Sequence, residues 1–266
     1  MKTLKLMIIA MLTIGLTACG MSQQTAKEIM TQAAKSADQI NSMAMDMELE
    51  QDIKTNGKKI HTTTSMKAQM TKEPLAMHAS FNIKAKNQAL DSEMYMTDKG
   101  MFMKMPSPAG ERWVKFPDKM FDQIMKMPRQ QTDPLKQLKE MKKYADDFSL
   151  EVKDGKYILK LSAGGEKFLE YVKERMQKAM PKKAEMEALK NLKLNKIKYT
   201  FVLDKETYQP ESMKMNMDMS FSQNGKTINL VQNASGSYSK YNQIEEITVP
   251  KKVVENAKSI PGMGQQ

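Results

Sequence analysis

The sequence holds one cysteine, Cys19, one tryptophan and two histidines, His61 and His78, in 266 residues. A lone thiol excludes an intramolecular disulfide framework in any redox compartment. Two histidines are too few for a histidine-rich metal centre, and no nucleophile elbow, P-loop or dinucleotide-binding glycine run occurs. Carboxylates are plentiful, but most fall on positions that periodicity assigns to solvent. We therefore expect no catalytic residues and no cofactor. Gly164-Gly165 reads as a hinge before a helix, not as a phosphate cradle. Long apolar runs are also missing beyond the extreme N-terminus, and a mean hydropathy of -0.59 excludes a polytopic membrane protein.

What is present is charge and methionine. Lys and Arg number 42 against 31 acids, a formal charge of +11 that suits anionic surfaces without choosing among them. The basic positions Lys136, Lys139, Lys142, Lys143, Lys182, Lys183 and Lys190 read as a solvated helix face or as an attraction to anionic headgroups. Methionine occurs 28 times, about a tenth of the chain. A mass of 30.3 kDa is enough to bury a sizeable core.

Lys2 and Lys5 precede the apolar run from Leu6 to Leu16, the basic and hydrophobic regions of an export signal too short for an ordinary transmembrane helix. Leu16-Thr17-Ala18-Cys19-Gly20 follows and resembles the lipobox of bacterial lipoproteins. The expected organisation is a signal peptide over 1–18, a lipidated tether over 19–24 beginning at Cys19, a single folded domain over 25–258 and a flexible tail over 259–266. That placement implies a protein on the extracytoplasmic face of a membrane, held by acyl chains. It also disfavours nucleic acid as a partner.

Apolar residues at Ile29, Ala33, Ala37 and Ile40 predict a first helix of about four turns from Thr25. The period then changes from near 3.6 to 2. Met43, Met45, Met47 and Leu49 alternate with polar residues, Asn56-Gly57 turns the chain, and Ile60–Thr71, Leu75–Ile83, Leu90–Thr97, Met101–Met105 and Glu111–Phe116 continue as strands. Short helices are expected over Met120–Met125 and from Pro134 through Met141, then a hairpin around Asp154-Gly155, then a helix from Phe168 to Met180. Ile197–Leu203, Met213–Phe221 and Thr227–Tyr238 read as strands, Ile244–Pro250 as an edge piece and Val253–Lys258 as a terminal helix. The class is α+β: one curved antiparallel sheet, a half-barrel of about eleven strands, with an N-terminal helix and mid-chain helices forming a lid.

This order of elements, with the closing phrase Tyr241-Asn242-Gln243-Ile244-Glu245-Glu246-Ile247-Thr248-Val249-Pro250, resembles bacterial lipoproteins of the LolA/LppX-like superfamily, in particular the DUF6612-like Gram-positive lipoproteins. The resemblance covers most of residues 22–258. It implies a half-barrel that holds a lipid or another hydrophobic ligand between sheet and helices. The methionine load departs from the family pattern.

Period 2 places each methionine series on one face, so the rows should converge on the inner surface of the sheet. The candidate groove comprises Met43, Met45, Met47, Met77, Phe81, Met94, Met96, Met101, Met103, Met105, Phe201, Met213, Met215, Met217 and Met219. Unbranched, polarizable side chains suit an adaptable apolar surface. Packed core is the plainer reading of any single one. Clustered thioethers are also soft ligands, so Cu(I) binding with His61 or His78 beside a methionine row stands as an alternative. A non-catalytic interaction or sensor module is another.

Overall fold

The computed structural model describes residues 24–86, 88–107, 110–119, 121–122, 136–163, 166–179, 189–223 and 225–259. Helix α1 (Ala26–Asp38) opens the fold. Six strands follow: β1 (Ser42–Thr55), β2 (Lys58–Lys72), β3 (Leu75–Ala85), β4 (Gln88–Thr97), β5 (Gly100–Ser107) and β6 (Gly110–Lys115). Helix α2 (Lys136–Met141) runs into a 3-10 turn (Lys142–Asp147), the hairpin β7 (Phe148–Lys153) and β8 (Lys156–Ala163), and helix α3 (Glu166–Ala179). The chain closes with β9 (Lys193–Asp204), β10 (Pro210–Gln223), β11 (Lys226–Ser239), helix α4 (Lys251–Asn256) and the two-residue β12 (Lys258–Ser259).

All twelve strands form one open, curved sheet in the order β12-β6-β5-β4-β3-β2-β1-β11-β10-β9-β8-β7. Two antiparallel meanders, β1–β6 and β7–β11, are joined where β1 pairs with β11 along twelve residue pairs from Ala44–Ser239 to Thr55–Ile228. The hairpins follow from local chemistry. Asn56-Gly57 and Asp154-Gly155 both take left-handed backbone, with φ of 49° and 72° and of 51° and 73°. That is the two-residue turn whose twist matches the flanking strands.

Helix α1 starts on a capping box: the Thr25 side chain accepts from the Glu28 amide and the Glu28 carboxylate accepts from the Thr25 amide. Its buried stripe combines four alanines with Ile29 and Met30 and packs on Lys136–Asp147 as well as on the sheet. Ile29, Met30 and Ala33 join the largest apolar cluster, with Leu138, Met141, Phe168, Leu159 and Phe201. Ala37 and the following Ile40 belong to a second cluster, with Met43, Met45, Ala68, Met70 and Ala79. One helix thus spans both halves of the sheet, while α2, the 3-10 turn and α3 cover the β7–β10 half.

The C-terminal end departs from the periodicity reading. Ile244–Pro250 alternates as a strand would but pairs with none; it runs as an extended strap across the outer face. Asn242 fixes its start by accepting from the Asn41 and Ser42 amides at 2.7 and 3.3 Å. The strap delivers Val249 and Val253 onto Phe102, beside Tyr95 and Trp113. The outer face of β4–β6 is therefore covered, where alternation alone implied water. The terminal helix lies at Lys251–Asn256 instead of Val253–Lys258, and the twelfth strand, β12, pairs in parallel with β6. Residues 1–23, including Cys19 and most of the expected tether, lie outside the described residues, as do Pro128, Pro134, Lys182, Lys183 and the tail from Ile260.

Candidate functional site: a methionine-lined inner face

Register brings the separate methionine series onto one surface. Met43 pairs with Met70, Met70 with Met77, Met77 with Met96 and Met96 with Met101, an unbroken ladder of five methionines across five adjacent strands. The next row runs Tyr238, Met45, Ala68, Ala79, Met94, Met103 and Val114. A third crosses the junction of the two meanders: Met66, Met47, Gly236, Met213, Phe201, Leu159. Met215 and Met217 stand opposite Tyr199 and Ile197, and Met219 opposite Leu194. Neighbouring strands lie about 4.8 Å apart, so these side chains touch along each row.

Burial divides the candidates into two groups. Met43, Met45, Met96, Met101, Phe201, Met213 and Met219 are buried and form packed core, Met96 and Met101 in a separate cluster with Phe121. Met47, Met77, Phe81, Met94, Met103, Met215 and Met217 are half-buried on the same face. Met105 is exposed at 38% near the sheet margin. Beyond the helices the apolar face continues toward the hairpin tips through Leu49, Ile53 and Ile83 to Ile60 and Leu90, exposed at 39% and 36%.

Several members of this face escaped the sequence reading. Met66 and Met70 sit in a threonine-rich strand whose polar residues masked the alternation. Gly236 offers no side chain to notice, and Tyr199 lies on the inner face without belonging to a methionine series. Burial, helped by neighbouring Tyr171, pushes the Tyr199 hydroxyl well above its ordinary value and keeps it neutral.

Charged groups collect on the opposite face. His61 Nδ1 lies 3.1 Å from Asp52, which also pairs with Lys59 at 3.2 Å. His78 Nε2 lies 2.8 Å from Glu93 Oε1, which also accepts from the Tyr95 hydroxyl at 2.9 Å, and the His78 and Tyr95 rings stack at 4.3 Å. Both histidines alternate away from the methionine rows, so neither joins a thioether site. Among the described residues no group of three or more His, Cys, Asp or Glu is placed to hold a metal ion, and no helix is long and apolar enough to cross a membrane.

Residues 25–258 match the profile of a family described as "Family of unknown function (DUF6612)". No curated protein matches the sequence. Among solved structures the chain is similar to LprF from Mycobacterium bovis, at 12% identity and a TM-score of 0.40, over 85% of this chain and 96% of that one. It is also similar to an outer membrane lipoprotein-sorting protein domain from Vibrio parahaemolyticus, at 11% identity and a TM-score of 0.27, over 78% and 91% of the two chains. Lipovitellin matches at 8% identity and a TM-score of 0.35, over 79% of this chain and 26% of its own. Likeness this distant transfers no ligand to this chain.

Proposed function

The chain belongs to the DUF6612 family, and on that footing we propose that it is a non-catalytic, membrane-anchored extracytoplasmic protein that binds or carries a lipid or another hydrophobic ligand on its inner face. The observation that carries this reading is the incomplete cover of the methionine surface. Half-buried Met47, Met77, Phe81, Met94, Met103, Met215 and Met217 form a continuous apolar area that outlasts the helices packed on it. Soluble proteins rarely leave such area open without a use. Methionine suits that use better than a branched residue, because its three rotatable bonds let one surface fit chains of different shape.

Anchoring is supported by the lipobox-like run ending at Cys19, the only thiol in the chain. Copper has less support, since the histidines that would complete a mixed site lie across the sheet. Native mass spectrometry of the purified full chain, followed by organic extraction, is the test. Co-purifying lipid released from the folded protein is expected. A clean ligand-free mass, together with no uptake of a pyrene-labelled alkane, overturns the proposal.

A further inference from the structure

The chain is 27% charged, yet the inner face of β1–β5 and β7–β11 carries charge only at strand ends; Arg112 of β6, opposite Met105, lies at the sheet margin. From β1 through β5 and from β7 through β11, the positions in register with the methionine rows include no Asp, Glu, Lys or Arg between the strand ends. Polar side chains on this face concentrate at one level. Gln51 stands opposite Thr62 on one side and Gln232 on the other, and Thr64 lies one step inward, opposite Leu49. This rung is bounded by hydrocarbon on both sides: Met47 and Met66 toward the helices, Ile53, Ile60 and Leu230 toward the hairpin tips.

All four side chains are half-buried. Two other polar residues of the same face are satisfied: Ser92 donates to the Lys104 carbonyl at 2.8 Å and Ser107 to the Gly110 carbonyl at 2.7 Å. Among the described residues, Gln51, Thr62, Thr64 and Gln232 have no side-chain hydrogen-bond partner. Their polar atoms are open to solvent, since no buried side-chain nitrogen or oxygen among the described residues lacks a partner, so a bound molecule that displaces this water loses affinity unless it replaces the hydrogen bonds. Amide and hydroxyl groups both donate and accept, so together they match a hydroxyl, ester or amide on a bound molecule. A carboxylate or phosphate would meet no cation there.

Resting on the hydrophobic-ligand reading, we propose that Gln51, Thr62, Thr64 and Gln232 form a selectivity rung for the head of the ligand. The class it selects is a lipid with an uncharged, hydroxyl- or ester-bearing head, such as an acylglycerol or a neutral glycolipid, with its chain running inward along Met47, Met66 and Phe81. Free fatty acids and phospholipids are disfavoured by their unpaired charge.

The test is displacement of a pyrene-labelled alkane from the full chain in a neutral detergent by monooleoylglycerol or by oleate, at a pH where oleate is ionised. Monooleoylglycerol should compete better by on the order of tenfold or more. Gln51→Leu and Gln232→Leu should each weaken monooleoylglycerol by roughly fivefold, the value of one neutral hydrogen bond, with alkane binding unchanged or stronger and the melting temperature unchanged or higher. Oleate competing as well as monooleoylglycerol overturns the rung and leaves the carrier reading intact. The rung also falls, and the carrier reading stands, if the two substitutions weaken alkane and monooleoylglycerol alike. Failure of the unsubstituted chain to bind the alkane removes the carrier reading and the rung with it.

Discussion

Gly236 of β11 and Met47 of β1 stand opposite each other, and a Cβ built on Gly236 would lie 2.6 Å from the Met47 sulfur. The glycine is there for space: its backbone is ordinary strand, and the thioether fills the room a side chain would take. Gly236→Ala should therefore cost about 1 kcal/mol through displacement of Met47, and Gly236→Val about 1–3 kcal/mol. Adding Met47→Ala should recover part of the valine loss, which a double-mutant cycle by urea denaturation measures. Additive losses would mean that the two side chains do not compete for that space.

Helix α1 belongs to both apolar clusters, so damage to it should be felt across the whole sheet. Ile29→Ala, at a fully buried position, should cost about 2–5 kcal/mol. Thr25→Ala removes half of the capping box and should cost about 1 kcal/mol. Hydrogen exchange then separates the two halves: increased exchange should extend to β2 and β3 as well as to β8 and β9. A response confined to β7–β10 would mean that Ala37 and Ile40 add little to the second cluster.

The Glu93 cluster on the outer face adds a pH-dependent contribution to the stability of the fold. Burial raises the Glu93 carboxyl, but hydrogen bonds with His78 and Tyr95 and the charge of Lys104 outweigh it and leave it below its ordinary value of 4.5. Its ionised form is thus favoured by folding. That stability is fully present above the ordinary value and is lost as pH falls through the lower folded one. Glu93→Gln should flatten the acid limb of the stability profile and, at 31% exposure, cost less than about 1 kcal/mol at neutral pH. Burial and the Glu93 charge push the Tyr95 hydroxyl up to about 12 from an ordinary 10.0. Its contribution is present below the ordinary value and is lost as pH rises through about 12. Tyr95→Phe should remove that alkaline limb, followed by circular dichroism against pH.

Much of the fold was legible because one face of nearly every strand is apolar: Met43 through Leu49 and Met213 through Phe221 each announce a period of 2 that cannot be mistaken for a helix. Register is a different matter. Nothing in either series says that Met47 and Met213 meet through Gly236, because the pairing of β1 with β11 joins residues almost two hundred positions apart. The covering of an outer face was equally hidden. Ile244, Ile247 and Val249 look like strand residues, and only the three-dimensional course of the chain turns them into a strap over Phe102. The unpaired rung at Gln51 and Gln232 could be recognised only once those two strands were known to be neighbours.

Cys19 lies outside the described residues, and its role is tested in cells. If its thiol carries the lipid, Cys19→Ser should stop processing after Ala18 and leave the longer, unlipidated precursor. Metabolic labelling with an alkynyl fatty acid should then disappear from the chain, and a chain starting at residue 20 behind a cleavable secretion signal should leave the membrane fraction. Persistent labelling of Cys19→Ser would place the acyl chain elsewhere.

Methionine oxidation reads the inner face residue by residue. Peroxide reaches a thioether only where solvent does, and it converts an apolar group into a polar sulfoxide. Peptide mapping should find Met105 oxidised first, then half-buried Met47, Met77, Met94, Met103, Met215 and Met217, with Met43, Met70 and Met96 last, as their burial dictates. Bound ligand adds a second ordering. Loading the protein should slow oxidation of Met47 and Met66 while leaving Met105 at its free rate, because only the former two lie along the path from the rung to the helices. Equal protection of Met105 would point to ligand adsorbed at the sheet margin, and no protection anywhere would mean that the methionine face is not where the ligand sits.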